Sequence, residues 1–379
     1  MSAFDVAIVG GGMIGGSIAF ELARQKLRVV VFDRQQPGLE ASWAAAGMLS
    51  PAPDSPAAIP LVPLGRASLK LYPEFVAAVQ EVSGREVGYR SEGTLEIIFG
   101  GDAERELSTL VALHHGLGLP TEPLPLDEAQ CLEPALSPEA RAAALLPYEA
   151  SVDNRALTEA VLEAAVRQGV KLCAGTAVTE LLCQAGRTTG VIAGGQEWPA
   201  GQVVLAAGCY SGGIRGLARY APTHPVRGQM VAVLASEVEL TRVLRSERGY
   251  VVPRHAGRPQ KLVLGSTLEN VGFQKGLTPA GLERILSAAQ ELVPGLGQAS
   301  IVETWSGLRP DTPDHLPVLG PTDIEGLTIA TGHYRNGILL APITAKLIRE
   351  WLTERQTSLP IEEFSPLRFL APEQPSAAL

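Results

Sequence analysis

The chain is poor in cysteine, with four thiols (Cys131, Cys173, Cys183 and Cys209) among 379 residues. No two of them form a C-x-x-C pair, which excludes the common zinc and dithiol signatures. The pattern suggests reduced, mostly buried thiols in a cytoplasmic protein, and no metal site is expected. Basic charge is also short. Lys and Arg number 31 against 40 Asp and Glu, a formal net charge of -9. That sign is wrong for tracking a phosphate backbone, so nucleic acid is excluded as a partner. No run of five or six like charges offers an interaction arm. Long hydrophobic runs are missing too. The most apolar stretch, Val6 to Ala23, has Asp5 at its start, no basic residue before it, and glycines and Glu21 within it. It reads as a strand and a helix, not as a secretion signal or one of the roughly 20-residue runs that span membranes.

The remaining composition is that of a folded globular chain, 46% hydrophobic and 19% charged, long enough for two domains with their own cores. Phe4 to Val9 reads as a buried strand, Met13 to Gln25 as a helix and Leu27 to Phe32 as a second buried strand. Between the first strand and the helix stands Gly10-Gly11-Gly12-Met13-Ile14-Gly15, a match to G-x-G-x-x-G. In that pattern Gly10 permits the turn, Gly12 lets backbone approach a pyrophosphate and Gly15 lets the helix pack on the strand. The helix N-terminus adds free N–H groups and partial positive charge for the phosphates. Asp33, eighteen positions past Gly15 at the end of the second strand, is placed to accept from a ribose and disfavours a 2′-phosphate, hence NADP. FAD and NAD both remain compatible with this fingerprint.

Two later segments bear on that choice. Ala41-Ser42-Trp43-Ala44-Ala45-Ala46-Gly47-Met48-Leu49 is a small-residue run past which a large flat ring could lie, with Ser42 able to bond a phosphate or ribitol oxygen. Thr331-Gly332-His333-Tyr334-Arg335-Asn336-Gly337-Ile338-Leu339-Leu340-Ala341-Pro342 reads as strand, turn and helix. It supplies a second helix N-terminus, which can stabilise negative charge on a reduced flavin. The middle of the chain is strand-rich over His224 to Leu234 and Gly249 to Ser266, with a helix over Thr278 to Leu292. Leu126 to Pro147 reads as a Pro-rich connection, and the residues after Pro360 as an extended tail.

With these segments in place, the sequence resembles the D-amino-acid oxidase superfamily of flavoproteins and, within it, the glycine oxidases of thiamine biosynthesis. The shared pieces are Val9 to Gly16, Ala41 to Pro51, Pro225-Val226-Arg227-Gly228-Gln229, Gly249 to Arg254, Leu264 to Phe273, Trp305 to Pro310 and Gly332 to Thr344. The resemblance implies an α/β fold: a Rossmann-like, glutathione-reductase-like FAD domain (1–85, 150–222 and 311–379). Interwoven with it is an α+β substrate domain on an antiparallel sheet (86–149 and 223–310). It implies non-covalent FAD, since no cysteine follows Cys209 and Gly307 stands where some sarcosine oxidases attach the flavin. The reaction implied is oxidative deamination of glycine or a similar small amine (sarcosine, small D-amino acids). Hydride passes to flavin N5, O2 becomes H2O2, and no side chain acts as a base. A D-amino-acid dehydrogenase passing electrons to a quinone stays open as the alternative.

Position by position, the resemblance implies that Arg309 grips the substrate carboxylate, as a planar guanidinium does bidentately. Tyr250 supports that carboxylate, and Arg335 is a further arginine at the site. The implied cofactor contacts are Gly10, Gly12, Met13, Ile14, Gly15, Asp33, Arg34, Ala41, Ser42, Ala46, Gly47, Met48, Val178 and Gly208. To these the C-terminal segment adds His333, Tyr334, Arg335, Asn336, Gly337, Ile338 and Leu339. Leu268 occupies a position where glycine oxidases can carry methionine. The partners implied are a small amino acid and O2, no membrane, and a homo-oligomer.

Overall fold

The computed structural model describes residues 4–370. Two eight-stranded sheets organise them. In the first, β1 (Phe4–Val9) lies between β2 (Val29–Phe32) and the strand Gln196–Leu205, all parallel. Leu327–Thr331 and Lys171–Cys173 extend the parallel set, and Val318–Pro321 closes one edge antiparallel. β1 and β2 are apolar on both faces because both are covered. Val6, Ile8, Val29 and Val31 join a core with four helices: α1 (Met13–Arg24), Val62–Ser83, Asn154–Arg167 and Gly337–Glu354. Ala7, Val9, Val30 and Phe32 face a second core on the opposite side, as the two-residue period of a strand requires.

The second sheet runs Ser300–Asp311, His224–Ala235, Gln260–Gly265, Tyr250–Pro253, Val243–Arg245, Thr94–Ile98, Ala142–Leu146, Glu122–Leu124. Every pair is antiparallel except Val243–Arg245 with Thr94–Ile98, which is parallel. One face packs on the helix Pro279–Leu292. The other, through Met230, Ala232, Val263 and Trp305, packs on Ala44 and Ala46 of the small-residue run. That contact brings the two sheets to a shared cleft.

Three expectations are corrected, and one strand had not been foreseen. Leu126 to Pro147 is not merely a connection: it holds the helix Leu126–Leu132 and the strand Ala142–Leu146, whose Ala-rich sequence hid the period. Ser300–Asp311, twelve residues of edge strand paired along His224–Ala235, has polar residues throughout its length and gave no alternation. The tail after Pro360 is docked, with Phe364 in the helix-side core and Arg368 bonded to Asp314 at 2.7 Å; residues 371–379 lie outside the described part. The four free cysteines are not mostly buried: Cys131 and Cys183 are exposed, Cys173 is half-buried and Cys209 alone is buried.

Candidate functional site

The cleft between the sheets is a cavity of 820 Å³, within the size range of cofactor sites. At one end stands the glycine turn. Gly10 takes φ +108°, and a Cβ there would overlap the Ala206 carbonyl oxygen; a Cβ at Gly15 would overlap that of Gly10. Both positions are closed to any other residue. The Asp33 carboxylate accepts from Gly11 N at 2.9 Å and Gln35 N at 3.0 Å, so the expected ribose acid also pins the turn. Burial pushes its carboxyl above the ordinary aspartate value, against the pull of those two bonds. α1 begins at Gly12 without a capping side chain of its own. Ser42 reaches across instead, its Oγ accepting from Met13 N at 2.8 Å, which leaves the hydroxyl proton to donate into the cavity.

The small-residue run is held from behind by polar bonds. Asn154 Nδ2 donates to Ser42 O at 2.7 Å and to Trp43 O at 3.1 Å, and Arg254 bonds Asn154 Oδ1 at 2.8 Å and Val152 O at 2.9 Å. The Arg155 guanidinium lies 3.6 Å over the Trp43 ring and bonds Glu303 at 2.9 Å. Nothing in their spacing marked these three residues. Gly47, at φ +75°, lets this run cross Val152 closely.

At the other end, the helix Gly337–Glu354 starts at Asn336, also without a side-chain cap. Two helix N-termini without a capping side chain of their own thus meet one cavity, the arrangement that suits a ligand with anionic charge at two places. Fully buried His333 bonds Thr344 Oγ1 at 3.0 Å, and burial pushes its pKa down to about 3. It is neutral at physiological pH and tied away from base duty. Tyr334, at φ +46°, donates its N–H to Pro310 O at 2.9 Å and so fastens this loop to the strand carrying Arg309.

Most of the expected residues line the cavity: from the turn, Gly10, Gly12, Met13, Ile14, Asp33 and Arg34; from the small-residue run, Ala41, Ser42, Ala46, Gly47 and Met48. Val178, Gly208, His333, Tyr334, Arg335, Gly337 and Ile338 line it as well, with Tyr250 and Arg309. Three do not. Gly15 packs α1 against the turn, Asn336 begins the last helix, and Leu339 is buried with its carbonyl bonded to Ser68 Oγ at 2.5 Å.

Three arginines reach the cavity and they differ in charge pairing. Arg34 pairs with Glu40 at 2.8 Å and lies 3.5 Å over the Tyr210 ring. Arg335 pairs with Asp54. Arg309 has no carboxylate partner among the described residues. Its Nη1 donates to Thr267 O at 3.1 Å and its Nη2 to Ser266 Oγ at 2.8 Å. Tyr250 packs over Gly265 and bonds Met230 Sδ at 3.5 Å.

This geometry fits FAD: a glycine turn and acid for the adenosine half, small residues along the middle, and a second helix end beyond. The chain belongs to the FAD-dependent oxidoreductase family DAO, whose model matches residues 5–351, and FAD is its cofactor. Among relatives, the chain is 34% identical to a glycine oxidase of Geobacillus kaustophilus over 97% of each chain. The crystal structure of glycine oxidase from that organism superimposes with a TM-score of 0.89 at 32% identity, covering 96% of this chain and 98% of that one. It is also 36% identical to the bifunctional protein ThiO/ThiG of Synechocystis sp., over 98% of this chain but only 55% of that protein. The chain spans about half the length of such bifunctional relatives. No helix among the described residues is long and apolar enough to cross a membrane.

Proposed function

We propose that the chain oxidises glycine or a similarly small amine, such as sarcosine or a small D-amino acid, with O2 as acceptor. For glycine the balance is glycine, O2 and water giving glyoxylate, ammonia and H2O2. Bound FAD supplies the two-electron acceptor. The carrying observation is Arg309, a guanidinium without a carboxylate partner on the wall of the cofactor cavity. Two of its five N–H groups are held by Ser266 and Thr267, and three remain for a carboxylate. Tyr250 lines the same cavity and supports that carboxylate. Fixing the acid group orients the Cα–H bond, which lowers the barrier through alignment, and no protein base is required. Neutral His333 is consistent with that.

The likeness to bifunctional ThiO/ThiG proteins supports a role in thiamine biosynthesis, with the imine product feeding thiazole assembly. A cytoplasmic location is supported by four unpaired thiols. A homo-oligomer is supported by the edge strand Ser300–Asp311, on which Ile301 and Val302 are about half exposed, a surface that association would cover. Attachment of FAD is read as non-covalent. Cys209 is the one thiol on the cavity wall, and burial pushes it up to about 12, far from a reactive thiolate.

The test is oxygen consumption with matched peroxide release by the FAD-loaded protein given glycine, sarcosine or D-alanine. Silence with all three defeats the reading, and turnover with an artificial acceptor but not with O2 replaces it with the dehydrogenase alternative. Acid precipitation should leave a colourless pellet, and retained yellow would show a covalent bond.

A further inference from the structure

Arg309 is long and flexible, yet its value as a carboxylate anchor depends on one fixed pose. Two features on the adjacent strands set that pose. Beneath the guanidinium lies Gly228, where a Cβ would come within 2.6 Å of the guanidinium carbon. Beside it, the segment after Gln260–Gly265 supplies the Ser266 hydroxyl and the Thr267 carbonyl as its two acceptors. That segment has little regular structure but is not loose. Glu269 pairs with buried Arg227 through both backbone groups and through a 2.7 Å ion pair, and Arg227 Nη1 also bonds Gly276 O at 2.7 Å. Gln229 N donates to Thr267 Oγ1 at 2.9 Å, and its side chain bonds Thr278 Oγ1 at 3.0 Å. Burial alone would raise the Glu269 carboxyl, but hydrogen bonds from Arg227 and Gln229 outweigh it and hold it below the ordinary value. The segment is therefore clamped at both ends, and Ser266 stands at its start on the cavity wall.

We infer that Ser266 is a positioning residue whose hydroxyl fixes the Arg309 guanidinium edge-on to the substrate carboxylate. This rests on the carboxylate role of Arg309 proposed above. The hydroxyl accepts from Nη2 and the Thr267 carbonyl from Nη1, so one N–H on each terminal nitrogen is consumed. The Nε–H and the second Nη2–H form the edge left for a two-oxygen pairing. Without the hydroxyl, Nη2 is free to swing, and the ordering cost shifts onto substrate binding. Ser266 touches neither the reacting bond nor the cofactor in this role, so its loss weakens carboxylate affinity and spares turnover at saturation.

The test compares Ser266→Ala, Ser266→Thr and Arg309→Lys in the FAD-loaded protein. Acetate binding is followed by the change in the flavin absorption band, and steady-state kinetics are taken with glycine. Ser266→Ala should raise the acetate Kd and the glycine KM about tenfold, the scale of one charge-assisted hydrogen bond. Its kcat and melting temperature should stay near wild type. Ser266→Thr, which keeps the hydroxyl, should restore the affinity. In the Arg309→Lys background, Ser266→Ala should change the acetate Kd no further. Unchanged affinity in Ser266→Ala, or an equal loss in both backgrounds, overturns the positioning role. Unchanged affinity in Arg309→Lys alone overturns the underlying carboxylate reading instead, so the two failures are distinct.

Discussion

The two ends of the cavity hold their ligand-facing groups by different means. At the glycine-turn end the working groups are backbone: N–H donors of α1, set around Gly10 and Gly15, where no side chain fits. At the amine end they are side chains, Arg309 and Tyr250, each lying across a glycine of a neighbouring strand, Gly228 and Gly265 respectively. A backbone site is set by local conformation and tolerates little change. A side-chain site is set by neighbours distant in sequence and can be adjusted piecemeal.

The largest expected effect tests the backbone end. Gly12→Val places side-chain atoms beside Ser42 Oγ, already 3.1 Å from a Cβ at that position, where the pyrophosphate must pass. The purified variant should be colourless and fail to take up added FAD by absorbance titration. A yellow variant would show that this end is as adjustable as the other.

A middling effect is expected at the amine end. In Gly228→Ala the new methyl meets the flexible guanidinium, not backbone, so Arg309 moves and the fold stays. The glycine KM should rise roughly tenfold to a hundredfold, as a two-point ion pair is weakened, with FAD retained. Loss of FAD from this variant would erase the distinction between the ends.

The smallest effect concerns His333, on the loop that leads into the last helix. Its folded pKa of about 3 lies below the ordinary 6.5, so the unfolded chain binds the proton first. The stability it contributes is complete above pH 6.5 and declines as pH falls from there toward 3. His333→Gln should therefore show a shallower fall of Tm between pH 6.5 and 5 than the parent protein. Parallel curves would mean that the ring is hydrated and titrates normally.

The same contrast separates what could be read in advance from what could not. The Gly10 turn, Asp33 and the buried strands around them follow from neighbours within about thirty residues, so periodicity and spacing suffice. The resemblance pointed to Arg309, but the residues alone gave no ground for it, because an arginine before a proline has the same local pattern on a surface loop. The resemblance also covered Gly228 and Ser266 without giving either a task. Arg335 was expected as a further arginine at the site, and Asp54, 281 positions away, pairs with it. The clamp of Asn154, Arg155 and Arg254 behind the small-residue run had no signal in spacing, and the shared piece Gly249 to Arg254 covered only Arg254, without giving it a task.

By itself, then, the sequence determined the nucleotide-binding turn, the alternation of buried strands with helices and the overall class, since these depend on backbone preferences and short-range burial. The tertiary structure alone decided which arginine faces the cavity without a carboxylate partner and what keeps it there. Charge pairing and hydrogen-bond partners are settled only when strands remote in the chain are laid side by side.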